Sequence, residues 1–185
     1  MFFKKAHQEI QQLERQEQQG DIELFFCDES GFSLVPEVPY AWQHPDHPYL
    51  LPSSHSKRIN TLGFLSKTMK FQPYLFESSI NSDAVITCFN HFIQKISKKT
   101  VVVIDNAPIH KNHNFQKWIP IWEEKGLFLY FLPPYSPELN KIEILWRFIK
   151  LRWLPAQAYL SLQNLRLHLD HILKNIGLKY TINFV

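Results

Sequence analysis

Val101-Val102-Val103-Ile104-Asp105-Asn106 is a run of four β-branched apolar residues that ends abruptly on a carboxylate and an amide. A run without polar alternation is the mark of a strand buried on both faces of a sheet. Upstream, Val85, Phe89, Phe92 and Ile96 recur at intervals of 4, 3 and 4 behind Ser82-Asp83, so a helix capped at Ser82-Asp83 precedes the strand. Downstream, a less regular helical stretch over about 114–125 leads to a second buried strand, Leu127 to Leu132, which Pro133-Pro134 stops.

Working outward, Pro137 suits the first turn of a long helix whose stripe is Leu139, Ile142, Trp146, Ile149 and Trp153. A last helix repeats that spacing at Leu162, Leu165, Leu169, Ile172 and Ile176. At the other end, Phe3, Ala6, Ile10 and Leu13 predict an amphipathic helix that Gly20-Asp21 ends. Ile22 to Cys27 then reads as a strand leading into a turn at Asp28-Glu29-Ser30-Gly31. Five of the twelve prolines fall between Pro36 and Pro52, so that stretch is read as extended or looping, with short edge pieces at most. Arg58 to Leu65 and Phe71 to Phe76 read as a meander turning at Ser66-Lys67-Thr68. An antiparallel block followed by strand, helix, strand, helix predicts an α/β fold: a mixed sheet with helices packed on it.

The 185 residues suit one compact domain, and 45% hydrophobic against 20% charged residues is a globular balance. The longest apolar run is far too short to span a bilayer, and Gln and Glu stand where a signal peptide needs its apolar core. Two cysteines, Cys27 and Cys88, make neither a disulfide framework nor a four-thiolate zinc site, so a reducing interior is expected. The net charge of +3 is uninformative, but its placement is not. Residues 1–23 carry three basic and five acidic side chains, whereas residues 141–185 carry seven basic and two acidic ones. A basic C-terminal third fits a phosphate-rich partner, and equally a solvated helix surface.

Asp28 follows one predicted strand and Asp105 another, and ligand sites in α/β sheets form beyond the carboxyl ends of strands. Each acid alone reads as a turn-forming or capping Asp. Together with a third acid from a helix they would suit hard divalent cations through oxygen ligands. Glu143 adjoins the apolar Ile142, at the margin of the stripe, with Arg147 and Lys150 four and seven residues on. Taken alone, Glu143 and Arg147 read as an exposed i,i+4 ion pair.

Three segments carry a resemblance: Phe25-Phe26-Cys27-Asp28-Glu29-Ser30-Gly31, Val103-Ile104-Asp105-Asn106-Ala107-Pro108-Ile109-His110, and the run Leu132-Pro133-Pro134-Tyr135-Ser136-Pro137-Glu138-Leu139-Asn140-Lys141-Ile142-Glu143-Ile144-Leu145-Trp146. In this order they resemble the three catalytic blocks of DDE transposases of the mariner-like superfamily, in its bacterial insertion-sequence branch. The likeness covers about residues 20–155, and the 38 positions from Asp105 to Glu143 are in keeping with it. It implies a ribonuclease H-like fold with helices on both faces of the mixed sheet. It also implies that Asp28, Asp105 and Glu143 are the catalytic acids, holding two Mg²⁺ or Mn²⁺ ions about 4 Å apart. The implied activity is cleavage of transposon ends followed by attack of the freed 3′-hydroxyl on target DNA. The implied partners are double-stranded DNA and a second copy of the chain in the active complex, with no membrane, at the nucleoid in a bacterial cytoplasm.

Two features depart from the family pattern. Lys141 stands where family members usually carry Pro. About twenty residues precede the first strand, too few for the helix-turn-helix domains the family places there, so the chain reads as a catalytic half. A separately encoded helix-turn-helix part, or a truncated non-catalytic remnant that dimerises with or interferes with a full-length transposase, are both open on that ground. The corresponding division is an N-terminal linker helix over 1–20, a DDE catalytic domain over 21–160, and a C-terminal helix and tail over 161–185 packed on it.

Other residues read as auxiliary or structural. His110 and His113 form an H-x-x-H pair without a signature for the further ligands zinc requires; His110, inside the second block, is an auxiliary candidate. Asn106 is placed to orient Asp105 or the chain turn, and Glu29 is at most an auxiliary beside Asp28. Arg147, Lys150 and Arg152 are the candidate DNA contacts. Trp146 and Trp153 belong to the apolar stripe, Cys27 reads as a small core hydrophobe, and His44 and His47 as loop residues.

Overall fold

A computed structural model of the protein describes residues 2–37, 46, 51 and 58–184. Most of the proline-rich stretch, with His44 and His47, lies outside the described residues.

Five strands form one sheet in the order β3-β2-β1-β4-β5. They are β1 (Glu23–Ser33), β2 (Arg58–Ser66), β3 (Phe71–Phe76), β4 (Thr100–Ile104) and β5 (Leu127–Phe131). β1 and β3 run antiparallel to β2, while β4 runs parallel to both β1 and β5. The sheet is therefore mixed, as the pattern predicts. Strand alternation splits its side chains into two cores. Leu24, Phe26, Val101 and Val103 point to one face, and Phe25, Cys27, Val102 and Ile104 to the other.

Helices cover both faces. α1 (Phe2–Gln19), α4 (Ile142–Phe148) and α5 (Leu162–Lys174) pack on the first through Ala6, Ile10, Ile142, Trp146, Leu165 and Leu169. α2 (Ser82–Phe92) and α3 (His113–Glu124) cover the second with Val85, Phe89, Phe115 and Trp122. The α2 cap is Asn81, one residue before the predicted Ser82-Asp83, and its side chain accepts from the Ala84 N–H.

Three expectations are corrected. The predicted turn at Asp28-Glu29-Ser30-Gly31 is strand: β1 stays paired with β2 from Phe25 opposite Ser66 to Ser33 opposite Arg58. The ladder satisfies the backbone and overrides local turn preference, and Gly31 serves to admit the Arg58 guanidinium, which a Cβ there would meet. β5 is the outer strand, and beyond Leu127 its residues are half-buried, because β4 flanks it on one side only. The long helix after Pro137 is broken into a 3₁₀ turn (Pro137–Leu139), α4 and a π-helical turn (Ile149–Trp153), with Asn140 extended between the first two. Its apolar stripe survives the break: Leu139, Ile142, Trp146 and Ile149 are all buried.

Candidate active site

The parallel register of β1 and β4 pairs Phe26 with Val103. Carried on two residues, it sets Asp28 level with Asp105, which follows the last residue of β4. Both then share the sheet face of Leu24, Phe26, Val101 and Val103, the face on which α4 lies. Glu143 is in the first turn of α4. All three acids line one cleft of about 430 Å³, with Asn106, Lys111 and Tyr135 among its other walls. A larger groove of about 680 Å³ lies beside Ser30, Arg58 and Asn60, and of the acidic candidates only Glu29 borders it.

The three acids sit in different surroundings. Trp146 Nε1 donates to Asp28 Oδ2 at 3.1 Å. Burial, reinforced by the Glu143 charge, pushes the Asp28 carboxyl well above the usual carboxylate range. Burial also raises Glu143, against the opposing charge of Lys150. Asp105 is the reverse: its Oδ1 lies 3.0 Å from His110 Nδ1 and accepts from the Ala107 N–H at 3.2 Å. The hydrogen bond from His110 is the main reason its carboxyl is held below the usual range. His110 Nδ1 also lies 3.2 Å from the Asp105 carbonyl oxygen, which can only accept, so Nδ1 is the donor there. Among the described residues no three His, Cys, Asp or Glu side chains are already grouped to hold an ion.

The auxiliary candidates divide. His110 is buried against Phe115 and bonded to Asp105, while His113 is exposed at the start of α3, so the pair does not act as one unit. Asn106 lines the cleft, but the bonds to Asp105 come from Ala107 and His110. Glu29 points to the opposite sheet face, where its Oε1 is buried with no hydrogen-bond partner among the described residues and its carboxyl is raised by burial. The expected Glu143–Arg147 ion pair does not form among the described residues. Lys150 is the cation bearing on Glu143, and it lies 3.7 Å from Glu37 and over the Phe32 ring. Arg147 and Arg152 are exposed, the latter over Phe148. Sequence reasoning missed Lys111, an exposed cation on the cleft wall, because nothing in its own segment marks it.

A ribonuclease H-like sheet with an acidic cleft at the carboxyl end of β4 defines the class. Residues 23–166 match the family model described as DDE superfamily endonuclease, and the chain belongs to that family. No curated protein sequence matches it. Its fold is similar to that of the Mos1 transposase paired-end complex with left transposon end, at 16% identity and a TM-score of 0.61 over 94% of this chain and 54% of that one. It is also similar to the Mos1 Strand Transfer Complex, at 15% identity and a TM-score of 0.59 over 96% and 56%. A third likeness is to the Mos1 mariner paired end complex with Mn, at 16% identity and a TM-score of 0.58 over 94% and 54%. The chain spans a little over half the length of these proteins.

Proposed function

We propose that the chain is the catalytic domain of a DNA transposase that cleaves transposon ends and joins the freed 3′-hydroxyl to target DNA. The observation that carries this reading is the meeting of Asp28, Asp105 and Glu143 on one cleft in a chain of the DDE endonuclease family. The donor set fits hard divalent cations: Asp28, Asp105 and Glu143 offer carboxylate oxygens, and no thiol is among the described residues lining the cleft. It also carries an electrostatic deficit, since burial raises the Asp28 and Glu143 carboxyls and the Glu143 charge raises Asp28 further. Asp28, Asp105 and Glu143 would hold two Mg²⁺ or Mn²⁺ ions. When bound, such ions supply Lewis-acid stabilisation of charge on the attacking and leaving oxygens of a phosphodiester.

The protein's own groups do the rest. His110 keeps Asp105 ionised and fixed, Trp146 holds Asp28, and Lys111 offers a charge to a phosphate entering the cleft. The catalytic unit is residues 21–160, with the helix over 1–20 and the segment 161–185 packed on it. Duplex DNA and a second copy of the chain complete this reading, set at the nucleoid of a bacterial cell. The test is nicking of a duplex carrying a transposon end by the purified chain, with Mn²⁺ or Mg²⁺ and with chelator. Asp105→Asn is expected to abolish metal-dependent nicking while the circular dichroism stays that of the native fold. Nicking that persists in Asp105→Asn overturns the assignment.

A further inference from the structure

Asn140, Glu143 and Trp146 stand three residues apart, and the outer two both reach β1. Asn140 Nδ2 donates to the Cys27 carbonyl at 3.0 Å, and Trp146 Nε1 to Asp28 Oδ2 at 3.1 Å. Glu143 is thus bracketed by hydrogen bonds to the two consecutive strand residues at its side. The indole has little freedom. It is 2% exposed, and its ring meets Phe32 edge-on at 6.2 Å and Phe71 at 6.0 Å. Beneath it lies Gly63, the residue of β2 directly opposite Asp28. A Cβ on Gly63 would stand 2.9 Å from Trp146 Cη2 and 2.8 Å from Phe71 Cε2, closer than real contacts allow. The missing side chain across from Asp28 is therefore the space in which the indole lies.

We infer that Trp146 is a positioning residue of the acidic cleft: its indole N–H ties one oxygen of Asp28 to the protein and leaves the other to the cleft, and Gly63 provides the space this needs. A tryptophan serving only as core would contribute ring volume, and its N–H would be incidental. Partners that orient ligating groups typically carry about 10–100-fold in metal affinity. This inference rests on the proposed metal-holding role of Asp28.

The test uses the whole chain with ¹⁵N-labelled tryptophan and Mn²⁺ alone as the probe. The Trp146 indole resonance is expected to broaden at the lowest Mn²⁺ additions, and to lose that response in Asp28→Asn. The Trp122 indole, bonded to Asn90 on the other sheet face, is the internal reference. Trp146→Phe keeps a ring and deletes the donor. It is expected to weaken Mn²⁺ binding about tenfold and to nick DNA poorly at low Mn²⁺, with recovery as Mn²⁺ is raised. Gly63→Ala, which retains the indole but displaces it, is expected to weaken Mn²⁺ binding likewise. Should both variants misfold, a wild-type Trp146 indole that ignores bound Mn²⁺ still overturns the inference. Wild-type Mn²⁺ affinity in a folded Trp146→Phe, or a Trp146 indole that ignores Mn²⁺ while the chain binds it, overturns the inference. A wild-type chain that binds no Mn²⁺ overturns the metal-holding role itself, and is told apart by the absence of binding in any variant.

Discussion

At Asp28 the needs of the cleft and of the fold oppose each other. A carboxyl pushed above its ordinary range by burial and by Glu143 favours the native state only while it keeps its proton. As pH rises from the ordinary carboxylate range through the native value, the unfolded chain has already released that proton and native stability falls. Asn has nearly the same shape, can still accept from Trp146, and carries no charge. Asp28→Asn is therefore expected to raise the metal-free melting temperature at pH 8 by about 2–4 °C per kcal/mol relieved, with a smaller gain near pH 4. Thermal unfolding at the two pH values checks it, and a lower melting temperature at pH 8 contradicts it. Added Mn²⁺ should stabilise the wild type more than the variant, since an ion bound only to the native state adds its binding energy to folding. The three acids were singled out by the resemblance of their segments to the DDE transposase blocks, since each alone reads as a turn residue or as half of an ion pair. The Trp146 bond was not, because a stripe reports which face a residue takes and is silent on what its polar atom meets.

At the scale of elements, α1 is fastened to the start of α4. Glu14 lies 2.6 Å from Lys141 and 3.3 Å from Lys67 in the β2–β3 turn, with all three side chains largely covered. The two lysines hold the Glu14 carboxyl below its usual range in spite of its burial. Lys141 is the residue that departs from the family's proline, and the backbone would accept the proline. Its φ is −61°, the preceding Asn140 is extended, and no backbone bond among the described residues uses its N–H. Lys141→Pro is thus expected to destabilise the wild type through the lost ion pair. In a Glu14→Ala background it should instead stabilise by about 0.4–1 kcal/mol, by restricting the unfolded chain. Denaturant unfolding of the four combinations checks the reversal of sign. The elements themselves were legible wherever a period ran unbroken, as in β4, α2 and α5. They were misread where tertiary pairing overrode a local signal. β1 runs through Asp28-Glu29-Ser30-Gly31 because β2 pairs it throughout, and β5 is apolar yet lies at the sheet edge. The stripe after Pro137 spans three helical forms because apolar spacing records burial and not hydrogen-bond pattern.

At the scale of the whole molecule, the sheet divides the chain into two packed faces, and the acidic cleft opens on the face that carries the basic C-terminal third. A cleft that gathers carboxylates repels a polyanion, so cations nearby must draw the backbone in. The three candidates are not equivalent. Arg147 and Arg152 are exposed, whereas Lys150 is partly committed to Glu37, to the Phe32 ring and to the field of Glu143. Each phosphate neutralised on duplex DNA contributes about −0.9 to the slope of log affinity against log salt. Arg147→Ala and Arg152→Ala are each expected to reduce that slope by about 0.9, and together by about 1.8, if both arginines touch phosphates. Lys150→Ala should change it by less, because a phosphate must displace Glu37 to engage the amine. Its larger effect belongs at Glu143, whose carboxyl loses the opposing charge and should climb further above its usual range. Titrations of one duplex at several salt concentrations, with the wild type and the three variants, separate these contributions. A slope indifferent to both arginine changes would mean that the DNA lies on another face, and that the basic C-terminal third is a solvated surface after all.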